Sequence, residues 1–378
     1  MKACGRAKVS DFLGDAIIYR NLQPLDPRLP SLEDLHTQVG LPQGVVPRKS
    51  TVDYARVVAQ ILNAGRALDA PQTPIRRVIF LGDTRLNDGT AFANICAAGG
   101  WPGLAFIGSE RMDEAPKFEM EQRGENAHVY VANRWAALPE FAAYCAEQNF
   151  PVDESTAVLV DLDKTTLGAR GRNDRVIDQV RVEAAFQTVS ALLGADFDEA
   201  AFETAYRHFN QVEFHPFTTD NQDYLVYICL IVGSGIFTSE WLTDNIRSRR
   251  VASFESFLTE VSARTAELSA ALQGIHHDVQ TRVSAGDPTP FKTFRRNEYR
   301  ATVARMGQLG VESTLEQKLA EEIVITREVY SQALAWLGEG AFLFGLSDKP
   351  DEASIPEPEQ ASQGAQPIHQ IETDVIGA

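Results

Sequence analysis

Two aspartates separated by one residue follow an apolar stretch of the chain. The stretch Thr156–Asp161 is typical of a buried strand, so Asp161 and Asp163 stand at its carboxyl end. Residues two apart in extended backbone point to the same side. One carboxylate can attack a phosphorus atom while the other moves protons, and Mg²⁺ balances their charge. The alternative is a pair of helix-capping aspartates at a strand–loop–helix junction.

A second acidic pair and a hydroxyl group occur in the same setting. Asp83 and Asp88 follow the apolar residues 77–82 and can complete the oxygen shell of a metal ion, unless they serve only a tight turn. Ser347 ends the apolar run 341–347 and can hold phosphoryl oxygens, unless it belongs to an ordinary turn. The carboxyl ends of parallel strands border the crevice where open α/β sheets bind ligands. We therefore expect these groups to meet.

The elements that must position these groups alternate between strands and helices. Short apolar runs predict strands, and apolar residues at helical spacing predict the helices between them. The pattern indicates an α/β protein with a Rossmann-like parallel sheet and helices on both faces. The predicted strands are 77–83, 103–108, 127–132, 156–161, 341–347 and 368–377, and the predicted helices are 51–68, 91–98 and 135–148.

A long helical segment interrupts this alternation and predicts a separate all-α domain. Its expected helices are 176–193, 199–210, 222–237, 254–275, 296–308 and 314–337. The segment 350–367 is rich in Pro, Glu and Ser and is expected to form a mobile loop. The resulting domain prediction is an N-terminal arm 1–48, a first core part 49–170, the helical domain 171–337 and a second core part 338–378.

Taken together, the strand-end groups resemble the motifs of the haloacid dehalogenase superfamily of phosphohydrolases. The resemblance covers the sheet-forming parts on both sides of the helical segment, and it implies Mg²⁺ as cofactor. The second aspartate implies hydrolysis or transfer of a phosphate ester, because the dehalogenases of the superfamily lack it. The DxDxT, hydroxyl and acidic motifs of the family are matched in turn by Asp161, Asp163 and Thr165, by Ser347, and by Asp83 and Asp88.

The order of the motifs departs from the family, in which the acidic motif comes last. The resemblance therefore implies a circular permutation, with Thr373–Gly377 as the strand that follows the Ser347 strand. This order puts the motif lysine upstream of Asp83, where Lys49 precedes a predicted helix. Lys349, close to Ser347, is the alternative. Either ammonium would neutralise the nucleophile and the phosphate.

The helical insertion lies where the family places its cap domain, so the resemblance implies a cap that excludes water and contacts substrate. Glycines in 168–173 are expected to form its hinge. Several cations are candidates for binding a substrate anion, although solvated helix starts carry such residues as well. These candidates are Arg170, Arg172, Lys292, Arg295, Arg296 and Lys349.

Charge and cysteine usage restrict the partners. Acidic residues outnumber basic ones by 52 to 35, which gives a net charge of −17 and disfavours nucleic acid and anionic membrane surfaces. The four cysteines form no CxxC pair and suggest neither a zinc site nor disulfides, as is typical of a cytoplasmic protein. No apolar run reaches transmembrane length.

The sequence thus favours a cytoplasmic Mg²⁺-dependent phosphatase that hydrolyses a small phosphorylated metabolite through an aspartyl phosphate on Asp161. A phosphotransferase or phosphomutase with the same intermediate is the first alternative. A non-catalytic binding protein on the same fold is the second. Substrate identity and oligomeric state stay open.

Overall fold

Seven strands form the larger of two sheets in the computed structural model, which describes residues 1–378. The strands in chain order are β1 Lys2–Ala7, β2 Ile17–Ile18, β3 Arg77–Gly82, β4 Gly103–Gly108, β5 Phe118–Gln122, β6 Ala127–Ala132, β7 Thr156–Asp161, β8 Ile325–Thr326, β9 Phe342–Leu346 and β10 Thr373–Gly377. The order across the larger sheet is β2-β9-β7-β3-β4-β6-β5. All neighbours in it are parallel except β5, which pairs antiparallel with β6.

The predicted α/β class with a mostly parallel sheet is confirmed. Strands β4, β7 and β9 are buried along their whole length, as continuous apolar runs in a parallel sheet should be. The chain winds from β3 to β4 and β6 on one side, and from β7 to β9 on the other. Successive strands are thus added to the sheet in opposite directions from β3 and from β7. Such a switch in strand order opens a crevice at the carboxyl ends of the strands.

The chain divides into two compact units, one of Met1–Gln179 with Thr302–Ala378 and one of Val180–Ala301. The second unit is entirely helical and shorter than the expected 171–337.

No helix is long and apolar enough to span a bilayer. The helices are α1 Ser10–Leu13, α2 Leu32–Val39, α3 Val52–Asp69, α4 Asn87–Gly99, α5 Leu138–Glu147, α6 Asp174–Leu193, α7 Glu199–Phe209, α8 His215–Thr218, α9 Gln222–Gly233, α10 Ser239–Arg247, α11 Phe254–Ala263, α12 Ala270–Ser284, α13 Lys292–Val303, α14 Leu315–Glu321, α15 Arg327–Gly338 and α16 Pro358–Ser362.

Residues 1–48 are more than the expected arm. They contribute β2 to the edge of the large sheet beside β9, and β1 to the small sheet. Phe12 and Leu13 of α1 are buried, so this segment adds to the core. The two-residue strand β2 has no alternation to reveal it, which explains why the sequence pattern missed it.

The last strand also differs from expectation. β10 is a strand, but it pairs with β1 and β8 in a separate three-stranded sheet and not with β9. The buried Asp374 on β10 accepts a hydrogen bond from Lys318 at 2.8 Å, which helps hold the small sheet to α14. The segment 350–367, which was expected to form a mobile loop, contains a short 3₁₀ turn, the helix α16 and the buried Ser354.

Candidate active site

Three aspartates converge at the crevice between β3 and β7. Asp161 ends β7, Asp83 directly follows β3, and Asp88 lies in the first turn of α4. Each offers a carboxylate oxygen, and these oxygens all lie within 4.8 Å of one another. The two strand ends are adjacent because β3 and β7 pair in parallel. Asp161 and the acidic motif, which are at least 73 positions apart in the sequence, thus form one group.

Lys49 lies inside this group. Its Nζ donates to Asp161 Oδ1 at 2.6 Å and to Asp88 Oδ1 at 2.7 Å, and its side chain is only 2% exposed. Burial alone would lower the pKa of Lys49, but the charges of Asp161 and Asp88 outweigh it and hold the pKa well above the usual value. The lysine therefore stays charged and compensates part of the acidic group.

Of the two lysine candidates, Lys49 is the one for which a hydrogen bond to Asp161 is observed. The segment around Lys49 is fixed by the start of α3. There the Tyr54 amide donates to the Thr51 side chain and caps the helix. Lys349 is buried close to Ser347, to whose Oγ it donates its backbone N–H at 3.2 Å.

Asp88 is held in place by donors on both of its oxygens. While Oδ1 accepts from Lys49, Oδ2 accepts from the backbone amides of Asp83 and Thr84 and from the Thr84 hydroxyl, at 3.1, 2.9 and 2.7 Å. Burial opposes its ionisation, but Lys49 and these hydrogen bonds lower the pKa of Asp88 to about 2. Asp88 is thus a fixed anion that orients both Lys49 and the turn after β3.

The pKa values of Asp161 and Asp83 are raised, whereas that of Asp88 is lowered. Burial raises the pKa of Asp161 to about 7, although Lys49 pulls it down. Burial, followed by the charges of Asp161 and Asp88, raises the pKa of Asp83 to about 9. Arg170 donates to Asp83 Oδ2 and is the second cation in the group. Burial and mutual repulsion thus disfavour ionisation of Asp83 and Asp161, and a hard divalent cation bound by these oxygens would favour their ionised forms.

The turn after β7 holds Asp161 rigidly. The Thr166 hydroxyl donates to the Asp161 carbonyl oxygen at 2.8 Å, and Lys164 adopts a left-handed φ of 63°. The ammonium of Lys164 is bonded to both carboxylate oxygens of Asp178, at 2.8 and 2.9 Å. Thr165 is fully buried and lies beside Asp161, yet its hydroxyl completes no hydrogen bond of good geometry.

Asp163 and Ser347 take different positions relative to this group. Asp163, which was also expected to ligate the metal, is half-buried and is not one of the three clustered carboxylates. Ser347 is buried and directly follows Leu346, the residue of β9 that pairs with Asp161 of β7. The hydroxyl motif and the nucleophile motif thus end on adjacent strands.

Two of the cations that were expected to bind substrate form buried ion pairs with carboxylates outside the group of three aspartates. Arg172 is buried and forms ion pairs with Glu110 at 2.6 Å and Glu328 at 2.9 Å. Arg295 is buried between Asp223 and Glu298, each 2.6 Å away. Both arginines satisfy buried carboxylates, which explains why they do not point to an anion site.

Two further candidate cations, Lys292 and Arg296, lie in α13. Lys292 pairs with Asp287 at 2.9 Å beside the start of α13, whereas Arg296 is exposed. The expected hinge 168–173 is tightly fitted. A Cβ on Gly171, whose φ is 77°, would lie 2.1 Å from the Glu110 carbonyl oxygen, so this glycine permits a close approach of two backbones.

A cleft of about 810 Å³ begins at Asp83 and Arg170, and sequence reasoning did not find it. It runs along the carboxyl ends of β3, β4 and β6 and under the loop between β4 and β5. Arg111 and Lys117 of that loop line it together with Arg85. The only signal in the sequence was the alternation of Arg, Lys and Glu between two predicted strands, which resembles any solvated loop.

The chain matches no protein-family model, no curated protein and no solved structure.

Proposed function

We propose that this chain is a Mg²⁺-dependent phosphohydrolase in which Asp161 takes the phosphoryl group, and that it is a circularly permuted relative of the haloacid dehalogenase superfamily. The observation that carries the proposal is the contact of Lys49 with Asp161 inside a group of three aspartates. A nucleophilic carboxylate beside a charged ammonium can approach a dianionic phosphoryl group without prohibitive repulsion.

The residues have distinct roles in the proposed reaction. Asp161 attacks phosphorus and forms an aspartyl phosphate, while the bond to the leaving oxygen breaks and Asp163 protonates that oxygen. Asp163 then takes a proton from water, which attacks the phosphorus, releases phosphate and restores Asp161. Lys49 and Ser347 stabilise the phosphoryl oxygens. Asp161 and Asp83, with Asp88 at their side, would hold Mg²⁺, which would supply charge stabilisation of the phosphoryl group.

The sheet order supports the permuted relationship. β7 lies between β9, which ends at the Ser347 motif, and β3, which ends at the acidic motif. The strand beside β9 on its other side is β2 and not β10. In the family order, β2 is therefore the strand that follows the Ser347 strand. Thr373–Gly377, which was expected in that position, lies in the small sheet instead.

A cap role for the helical unit is part of the proposal. Val180–Ala301 is inserted in the sequence between the nucleophile motif and the Ser347 motif, and it forms a compact unit of its own. An inserted helical unit at that point is what a cap requires, because both of its connections return to the sheet-bearing unit.

Phosphate release from p-nitrophenyl phosphate tests the proposal. The wild-type chain should release phosphate with Mg²⁺ and lose that activity in EDTA. Asp161→Asn should lower the turnover by at least about 10³-fold, because it removes the nucleophile. Asp53→Asn, on the exposed face of α3, is the matched control and should keep wild-type turnover. Wild-type turnover in Asp161→Asn would refute the assignment.

A further inference from the structure

The cleft beside the carboxylate group has an unusual charge for this protein. Among the residues lining it, four are basic and three acidic, whereas the chain as a whole carries 52 acidic and 35 basic residues. A cation bound by Asp83 would shift the local balance further toward positive charge. The charged lining residues are Arg85, Arg111, Lys117 and Arg170 with Asp83, Glu114 and Glu119.

The positive excess is located at one place in the cleft. Arg85 is balanced, because it pairs with Glu119 and Glu121 at 2.6 and 3.0 Å, and Arg123 also pairs with Glu121. Arg111 and Lys117 instead share the single carboxylate of Glu114, at 3.1 and 3.0 Å. Hydrogen bonds from both lower the pKa of Glu114 to about 2, so the trio carries one net positive charge at neutral pH.

The loop that presents this trio is firmly held. Asn133 accepts from the Lys117 amide at 2.9 Å and donates to the Ala115 carbonyl oxygen at 2.8 Å. The Arg134 guanidinium donates to the carbonyl oxygens of Arg111 and Glu114. Both Asn133 and Arg134 follow β6 directly, so they fix the loop to the sheet. A fixed loop loses less entropy on binding than a mobile one.

The cleft reaches the carboxylate group at Asp83. Asp83 and Arg170 both line it, and an oxygen of Asp83 lies within 4.8 Å of one of Asp161. The strand ends Ile107, Val131 and Ala132 give the cleft an apolar wall between its two polar ends. A molecule with its phosphate at Asp161 can thus lay its carbon skeleton along this wall.

We infer that the cleft holds the leaving group of the substrate, and that this leaving group carries a second anion, a carboxylate or a second phosphate, bound by Arg111 and Lys117. The inference rests on the proposed function, which supplies the first phosphate. The volume of the cleft, about 810 Å³, is that of a site for a whole small metabolite and is far larger than one phosphoryl group requires.

Matched substrate pairs test the inference. The pairs are 3-phosphoglycerate with glycerol 3-phosphate, and fructose 1,6-bisphosphate with fructose 1-phosphate, which differ in the second anion. The wild type should show a kcat/KM at least about tenfold higher for the doubly anionic member of one pair, and that pair identifies the anion. In Arg111→Ala/Lys117→Ala the ratio should fall toward one, since two partly solvated ion contacts contribute about that factor. Arg56→Ala, an exposed arginine on α3, should keep the wild-type ratio.

Calorimetric binding to the wild-type chain separates the two possible failures. If the chain hydrolyses neither these esters nor p-nitrophenyl phosphate, the proposed function fails, but binding of a doubly anionic ester that weakens about tenfold in the double variant still supports the cleft. Equal kcat/KM within both pairs, together with equal binding to wild type and double variant, would overturn the inference. A circular dichroism melt of the double variant establishes that any loss is not unfolding.

Discussion

The ammonium group of Lys49 lies between the carboxylates of Asp161 and Asp88, 2.6 Å from one and 2.7 Å from the other. All three side chains are withdrawn from solvent. A buried charge in such a contact depends on its partners, because removal of one leaves the others uncompensated in a medium of low polarity. Stability and function should therefore respond together to changes at this contact.

Replacement of Lys49 by methionine should destabilise the fold. It leaves two buried carboxylates without their shared cation, so the free energy of unfolding should fall by about 3 kcal/mol. The double variant Lys49→Met/Asp88→Asn should recover part of this loss, since it removes one of the two uncompensated buried charges. Urea unfolding of the wild type, both single variants and the double variant measures the coupling. Strictly additive losses would show that the two side chains do not depend on each other.

Stability should depend on pH in a direction set by Asp161 and Asp83. Their folded pKa values of about 7 and about 9 lie above the ordinary 3.8, so the folded state holds these protons more tightly than the unfolded state. That stabilisation is complete in acid and is lost as the pH rises through about 7 and then 9. The melting temperature without a divalent cation should therefore fall between pH 6 and pH 9.

Mg²⁺ should reverse this loss, because it binds the ionised carboxylates. The increase in melting temperature on adding Mg²⁺ should be larger at pH 9 than at pH 6. In Asp83→Asn the increase should shrink at both pH values, and the pH dependence near 9 should flatten. Differential scanning calorimetry in matched buffers gives the answer, and an equal Mg²⁺ effect at both pH values in the wild type would speak against the cation site.

Arg170 and Arg172 should differ although they are two residues apart. Arg170 pairs with Asp83, so Arg170→Ala removes a competing positive charge and should tighten Mg²⁺ binding by about fivefold. Arg172→Ala instead leaves Glu110 and Glu328 without their cation and should cost about 3 kcal/mol of stability without altering Mg²⁺ affinity. Titration calorimetry and urea unfolding measure the two effects. Weaker Mg²⁺ binding in Arg170→Ala would contradict the competition.

Lys164 should tolerate glycine better than alanine. Its left-handed φ of 63° strains any residue with a Cβ, whereas glycine adopts it freely. Both substitutions lose the bond to Asp178, so their difference isolates the backbone strain. Lys164→Gly should be more stable than Lys164→Ala by about 1 kcal/mol in urea unfolding. Equal stability of the two variants would mean that the turn relaxes to another conformation.

The sequence predicts the centre of the fold well, because β3, β7 and β9 are continuous apolar runs that end in chemically distinctive residues. The meeting of Asp83, Asp88, Asp161 and Lys49 follows from that pattern once the strands are parallel. The sequence does not reveal β2 or the second sheet. A two-residue strand has no period, and the pairing of β10 with β1 and β8 is decided by contacts between distant parts of the chain.

The cations were the least predictable part of the site. Residue type alone does not distinguish Arg172, enclosed by two glutamates, from Arg170, which is partly exposed beside Asp83. The roles of Arg111 and Lys117 depend on their sharing of Glu114, a contact that only the folded loop creates. Burial and pairing are tertiary properties, and they decide which charges remain for a ligand.

The location of the covalent phosphate tests the central claim most directly. Rapid acid quenching during turnover of p-nitrophenyl phosphate with Mg²⁺, followed by peptide mass spectrometry at low pH, identifies the phosphorylated residue. The proposed mechanism predicts phosphate on Asp161, none in EDTA, and none in Asp161→Asn. Phosphate on any other residue during turnover, or an equal yield of labelled peptide from Asp161→Asn, would contradict it.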